Sequence, residues 1–105
     1  MIARNLRHLA VVSMIVLVAS SCCKKEEIPL LTRKLYSSAA RDRNEAALEL
    51  AKCGSPEVDG AVPRLIQLMY DENVGVQSSA AYALRKIDSP AARRALERAS
   101  KKGQS

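Results

Sequence analysis

The chain has 105 residues, of which 27% are charged, and a formal net charge of +6, so it forms one small domain at most. Its core has to be aliphatic, because Phe and Trp are absent and only three Tyr occur. Arg4 and Arg7 precede the first apolar run, and the remainder carries an excess of four basic residues, interleaved with acidic ones. Such a mild, mixed charge does not predict a nucleic-acid partner.

The first segment has the order of a secretory signal. Residues 1–8 are short and basic, and Leu9 to Ala19 form an apolar run that only Ser13 interrupts. An eleven-residue helix is about 16 Å long, whereas the hydrocarbon core of a bilayer is about 30 Å thick. The run is therefore too short for a comfortable membrane span and favours an export signal.

The residues that end this segment are Ala19, Ser20, Ser21 and Cys22. They resemble the lipobox of bacterial lipoproteins. The resemblance implies a signal peptide over residues 1–21, lipidation of Cys22, a lipidated tether over residues 22–27 and a location in the bacterial envelope. Asp after the acylated Cys retains many enterobacterial lipoproteins in the inner membrane, and Cys23 therefore favours the outer membrane. Ordinary secretion, an uncleaved anchor and a cytosolic chain remain alternatives.

A repeat of 34 residues follows. Residues 28–56 align with residues 62–90 without a gap. The identical pairs include Pro29/Pro63, Tyr36/Tyr70, Ala46/Ala80, Ala47/Ala81, Leu50/Leu84, Lys52/Lys86, Ser55/Ser89 and Pro56/Pro90. Aligned prolines, an aligned tyrosine and a shared Ser-Pro are not readily produced by chance matches between helices. The sequence therefore predicts two copies of one structural unit.

Each unit is predicted to contain two helices. The first helices begin at Pro29 and Pro63, because proline suits the first helical turn, and they end at Tyr36 and Tyr70. The second helices and a fifth helix are predicted over residues 41–53, 75–87 and 90–101. No segment shows the alternation that is typical of a strand.

Helical spacing assigns an inner stripe to each second helix: Ala46, Leu50 and Cys53 in one unit, and Val76, Ala80, Leu84 and Ile87 in the other. Cys53 aligns with Ile87 and is predicted to be a buried small hydrophobe. A reactive or bridging thiol stays open, because the chain has an export signal. Tyr36 and Tyr70 are predicted to pack their rings against the fold, with the hydroxyl groups in contact with water, rather than to form a binding pair. Tyr82 is predicted to point outward.

The spacing of Asp71, Val76, Ala80, Leu84 and Ile87, followed by Asp88-Ser89-Pro90, is similar to that of short HEAT repeats, as also found in phycocyanobilin lyases. The resemblance covers residues 28–101 and leaves residues 102–105 as a tail. It implies an all-α fold, a short α-solenoid of about five antiparallel helices in two and a half HEAT-like repeats. In that family Asp and Arg often pair between units. Gln77 replaces the family's Arg, so the implied pair is Arg43 with Asp71.

The residue types of catalysis are sparse. His8 is the only His, and Glu45 and Glu49 share a helix face without a partner cluster. No phosphate-binding, nucleophile or zinc motif occurs. We therefore expect no catalytic residues, no enzymatic activity, no metal and no cofactor.

The sequence favours a lipid-anchored interaction or assembly module that binds an unknown envelope protein. The predicted binding residues lie on the concave row of second helices: Arg41, Arg43, Asn44, Glu45, Ser78 and Tyr82. Two and a half units are few for a solenoid, so a homo-oligomer through a repeat end is left open. The alternative function is an exported small-ligand carrier or an enzyme of the phycobilin-lyase-like HEAT class.

Overall fold

The computed structural model describes residues 23–104, which form five α-helices and contain no strand. The helices are α1 (Ile28–Lys34), α2 (Ala40–Leu50), α3 (Val62–Leu68), α4 (Val74–Ile87) and α5 (Pro90–Gln104), with short 3-10 turns at Lys25–Glu27 and Asp59–Ala61. The predicted all-α solenoid is confirmed. The predicted signal peptide and Cys22 lie outside the described residues.

The helices form two antiparallel hairpins, which stack on each other, and a fifth helix packs beside the second hairpin. The first unit pairs α1 with α2, and the second pairs α3 with α4. The second helices α2 and α4 share the most extensive contact, and α5 packs on both helices of the second unit. The order of the chain thus places the units side by side, with α5 as the first helix of an unfinished third unit.

The aliphatic stripes predicted from the sequence form the core between the units. Its fully buried side chains are Leu35, Ala46, Ala47, Leu50, Val58, Leu65, Val76, Ala80, Ala83, Leu84 and Ala92. Ala46 and Ala80 are completely buried, and alanines at these positions leave room for α2 and α4 to approach closely. Val58, in the connection between the units, and Ala92 were not predicted as core residues, because neither belongs to the aligned stripes.

The second helices differ in how they end. α4 reaches Ile87, and Asp88 closes it with φ at 54° while its N–H bonds to the carbonyl of Leu84 at 3.0 Å. α2 was predicted to reach Cys53 but ends at Leu50. The backbone from Ala51 to Cys53 winds on in a tighter turn, because the N–H of Cys53 bonds to the carbonyl three residues before it, that of Leu50, at 3.0 Å.

Cys53 is buried as predicted, but it also forms a disulfide with Cys23. The two Cα atoms are 4.9 Å apart, within the usual range for this bond. The disulfide crosses 30 residues of sequence and joins the segment before α1 to the end of α2. It therefore closes the first unit, and the interpretation of Cys53 as only a small hydrophobe is corrected to the bridging alternative.

We expect Leu50→Ala and Leu84→Ala each to destabilise the fold by about 2–5 kcal/mol, because both side chains are completely buried at equivalent positions. Leu48 is the matched control on α2, since 40% of its surface is exposed, and Leu48→Ala should change stability by less than about 0.5 kcal/mol. Urea unfolding followed by helical circular dichroism measures all three. Equal effects for Leu48→Ala and Leu50→Ala would show that the stripe is wrongly assigned.

Candidate interaction surface

The second helices present a row of accessible side chains, which we call the second-helix face. It consists of Arg41, Asn44, Glu45, Leu48, Ser78 and Tyr82. Leu48 and Tyr82 are equivalent in the 34-residue register and are 40% and 43% exposed. Asn44 and Ser78 are equivalent in the same way. The repeat thus places an exposed apolar or aromatic side chain at the same point of the second helix in each of the two units.

Polar groups surround this pair. The ammonium of Lys86 lies 5.8 Å from the ring centroid of Tyr82, a cation–π distance. The guanidinium of Arg41 donates to the carboxylate of Glu45 at 3.1 Å, one turn along α2, and both groups are solvated. Tyr82 points outward as predicted. Leu48 was not among the predicted binding residues. Its equivalence to the exposed Tyr82 in the 34-residue register is the signal that could have identified it.

Arg43 does not lie on this face. It is 6% exposed, and its guanidinium forms an ion pair with the Asp71 carboxylate at 2.9 Å. The same group donates to the carbonyls of Ser37 and Ser38 at 2.9 and 3.1 Å. The pairing of Arg43 with Asp71 between units is confirmed. A side chain so enclosed is a structural link, and little of it is left for a partner.

Asp71 is the acceptor at the centre of this link. The hydrogen bond from Arg43 lowers the pKa of the Asp71 carboxyl, burial acts against it, and the N–H of Asn73, 3.0 Å away, lowers it further. Because the folded-state pKa is the lower one, Asp71 stabilises the fold above its unfolded-state pKa of about 3.9. That contribution is lost as the pH falls through the folded-state pKa.

Two further polar contacts join or shape the second helices. Ser79 donates from α4 to the side chain of Asn44 on α2, so Asn44 is partly engaged within the fold. Gln77, which stands where the family usually has Arg, donates to the backbone carbonyl of Asp71. Gln77 therefore stabilises the turn before its own helix.

The aligned tyrosines are more exposed than packing residues would be. Tyr36 and Tyr70 have 63% and 58% of their surface accessible, which corrects the prediction that they mainly pack. Each ring is contacted by a cation from the next first helix: Arg64 at 4.4 Å from the Tyr36 centroid, and Lys102 at 5.6 Å from the Tyr70 centroid. Arg64 also donates to the carbonyl of Leu35 at 3.1 Å, so it ties α3 to the end of α1.

Residues 23–104 contain no group of three or more His, Cys, Asp or Glu placed to hold a metal ion. None of their helices combines the length and the apolar character needed to cross a membrane.

Paired helices stacked in register, with a polar link from one unit to the next, define the chain as an α-solenoid repeat protein. A family model described as HEAT repeats matches residues 8–105. The chain therefore belongs to the HEAT repeat family, as the spacing around Asp71 predicted. Comparison with curated proteins and with solved structures gave no match. HEAT repeats are in general protein-interaction modules.

Proposed function

We propose that the chain is a lipid-anchored protein of the bacterial envelope that binds another protein through the second-helix face. The observation that carries the binding part is the exposure of Leu48 and Tyr82 at equivalent points of the second helices α2 and α4. The proposal includes no enzymatic activity and no cofactor.

The composition of the face suits a protein partner. Interfaces are enriched in Tyr and Arg, and a few such side chains, enclosed by polar neighbours, supply most of the binding energy. Tyr82 on α4 has a large exposed ring, and its aliphatic counterpart Leu48 lies on α2, the second helix of the first unit. Arg41, Glu45 and Ser78 are exposed around them and can form a polar rim. A partner laid across α2 and α4 would meet both apolar groups at once.

Two features support export. The first is the basic and apolar prefix that ends at Cys22. The second is the disulfide between Cys23 and Cys53, because disulfides persist in oxidising compartments and are rare in the cytosol. The two features are independent, since one lies in the prefix and the other in the fold.

The disulfide also bears on how the anchor would be attached. Cys23 follows Cys22 directly and is bonded to the end of α2, and Lys25–Glu27 form a 3-10 turn before α1. Residues 23–27, which we predicted to belong to a tether, are thus held against the first unit. A lipid on Cys22 would therefore leave almost no slack between the membrane and the repeats.

We expect Cys22→Ala to abolish acylation and to leave a larger precursor, because the thiol that accepts the lipid is gone. Metabolic labelling with a palmitate analogue, followed by gel analysis, measures both effects. Cys53→Ser is the control, since it breaks the disulfide but keeps Cys22 and should stay labelled. Labelling that persists when Cys22 and Cys23 are both replaced would exclude a lipoprotein anchor at this site.

We expect Tyr82→Ala and Leu48→Ala to keep the melting temperature of the wild type but to lose capture of envelope proteins. Truncation of an interface anchor costs about 2 kcal/mol or more, which is a roughly thirty-fold loss of affinity. The measurement is quantitative affinity capture from solubilised envelopes. Tyr36→Ala is the matched control, because Tyr36 is exposed among the first helices. Capture that is unchanged in both face variants would refute binding through this face.

A further inference from the structure

The net positive charge of residues 23–104 comes from the last helix, α5. The helix α5 contains five basic residues, Arg93, Arg94, Arg98, Lys101 and Lys102, and one acidic residue, Glu97. Residues 23–89 contain ten basic and ten acidic residues and are neutral overall. The last turn of a helix favours Lys and Arg, which accounts for Lys101 and Lys102. It does not account for Arg94 and Arg98, which lie in the middle of α5.

The basic residues of α5 divide into two sets. In one set, Arg93 pairs with Asp88 and Lys101 with Glu97, each at 3.5 Å. In the other set, Arg94, Arg98 and Lys102 follow one another at four-residue intervals and therefore share a helix face. Within residues 23–104, neither Arg94 nor Arg98 forms an ion pair. Lys102 lies over the ring of Tyr70.

The second set borders a groove between α3 and α5. The groove consists of two adjoining cavities, of about 570 and 370 Å³, which share the lining residues Ile66, Ala91 and Arg94. The apolar part of the lining consists of Ile66, Ala91 and Ala95, and Ala95 is recessed, with only 8% of its surface exposed. Arg98 and Lys102 continue the basic edge, whereas Asp59 lies near the opposite end.

The contacts of α5 differ from those of α3 beside the groove. Arg98 is the equivalent of Arg64 in the 34-residue register. Arg64 bonds to the carbonyl at the end of the preceding first helix and covers Tyr36. On α5 it is Lys102, one turn later, that lies over Tyr70. Within residues 23–104, Arg98 itself forms no hydrogen bond to the end of α3, and it lies at the edge of the groove.

We propose that this groove, lined by Ile66, Tyr70, Ala91, Arg94, Ala95 and Arg98, binds an acidic amphipathic helix of another protein. The charge selects carboxylates, which can pair with Arg94 and Arg98 in the fork geometry that guanidinium groups favour. The floor accepts the apolar face of the segment between α3 and α5. From Ala91 to Lys102 the groove is about 17 Å long, the length of roughly eleven helical residues.

The walls of the groove favour a helix over other occupants. Both walls are helices, whose backbone groups bond internally, so no strand edge is available for an extended peptide. A helical segment meets its own backbone hydrogen bonds and needs only side-chain contacts. A flat array of lipid headgroups could reach the arginines but would leave the recessed alanines uncovered. This surface shares no residue with the second-helix face, so either proposal can fail without the other.

The test measures fluorescence anisotropy of labelled peptides of about 14 residues on the intact chain in non-ionic detergent, with micelles alone as the blank. The probes are a set of acidic amphipathic helices in several registers, with Leu on one face and Glu on the other, and scrambled peptides of identical composition. The groove variant is Arg94→Gln with Arg98→Gln. The control is Arg93→Gln with Lys101→Gln, which removes two charges from the same helix outside the groove lining. Circular dichroism melts check that both variants fold.

We expect at least one amphipathic register to bind, the scrambled peptides to bind at least ten-fold more weakly, and the groove variant to lose at least ten-fold in affinity. The control variant should lose less than two-fold. Equal losses in the two variants, or equal binding of scrambled peptides, would reduce the effect to unspecific charge attraction and overturn the proposal. Failure of every register would overturn it as well. So would a groove-dependent association with phosphatidylglycerol vesicles but with none of the peptides, since a membrane would then be the occupant.

Discussion

The buried ion pair between Arg43 and Asp71 is the contact on which the arrangement of the units depends. The guanidinium of Arg43 on α2 donates to the two serine carbonyls of the turn before its own helix and to the Asp71 carboxylate in the turn between α3 and α4 of the next unit. Asp71 in turn holds the N–H of Asn73, and Asn73 caps α4 by accepting from Val76 at 3.1 Å. One charged pair therefore organises both turns between first and second helices. The positions of Leu48 and Tyr82 on neighbouring helices follow from this register.

The pair and the core contribute different things. Burial of Leu50, Leu84 and their neighbours supplies the free energy of folding, at about 25 cal/mol for each Å² of apolar surface removed from water. A buried ion pair often adds little net stability, because desolvation opposes the attraction, but removal of one partner leaves a costly unpaired charge. We expect the pair to disfavour slipped stackings of α2 on α4, in which the aliphatic stripes would still meet while Arg43 would not reach Asp71.

The sequence was sufficient for what depends on local periodicity. The 34-residue alignment predicted the helix pairs and the buried stripes, and the HEAT resemblance implied the partner of Arg43. Features that depend on three-dimensional proximity were missed. The disulfide joins Cys23 and Cys53, which are 30 residues apart in the sequence. Leu48 is apolar and could be a core residue by type, and only the orientation of α2 against its neighbours shows that its side chain is exposed. The groove beside α5 was also missed, because α5 departs from the packing that the repeat leads one to expect.

The protein is a short HEAT array that a disulfide closes at its first unit, and the last described helix is basic. The register in which its units stack is set by Arg43 and Asp71. A double-mutant cycle with Arg43→Met and Asp71→Asn, followed by urea unfolding at pH 7 and near pH 3, tests it most directly. We predict a coupling free energy of about 1–3 kcal/mol at pH 7. It should shrink near pH 3, because the contribution of Asp71 is complete only above its unfolded-state pKa of about 3.9. Additive effects of the two substitutions at pH 7 would contradict the register.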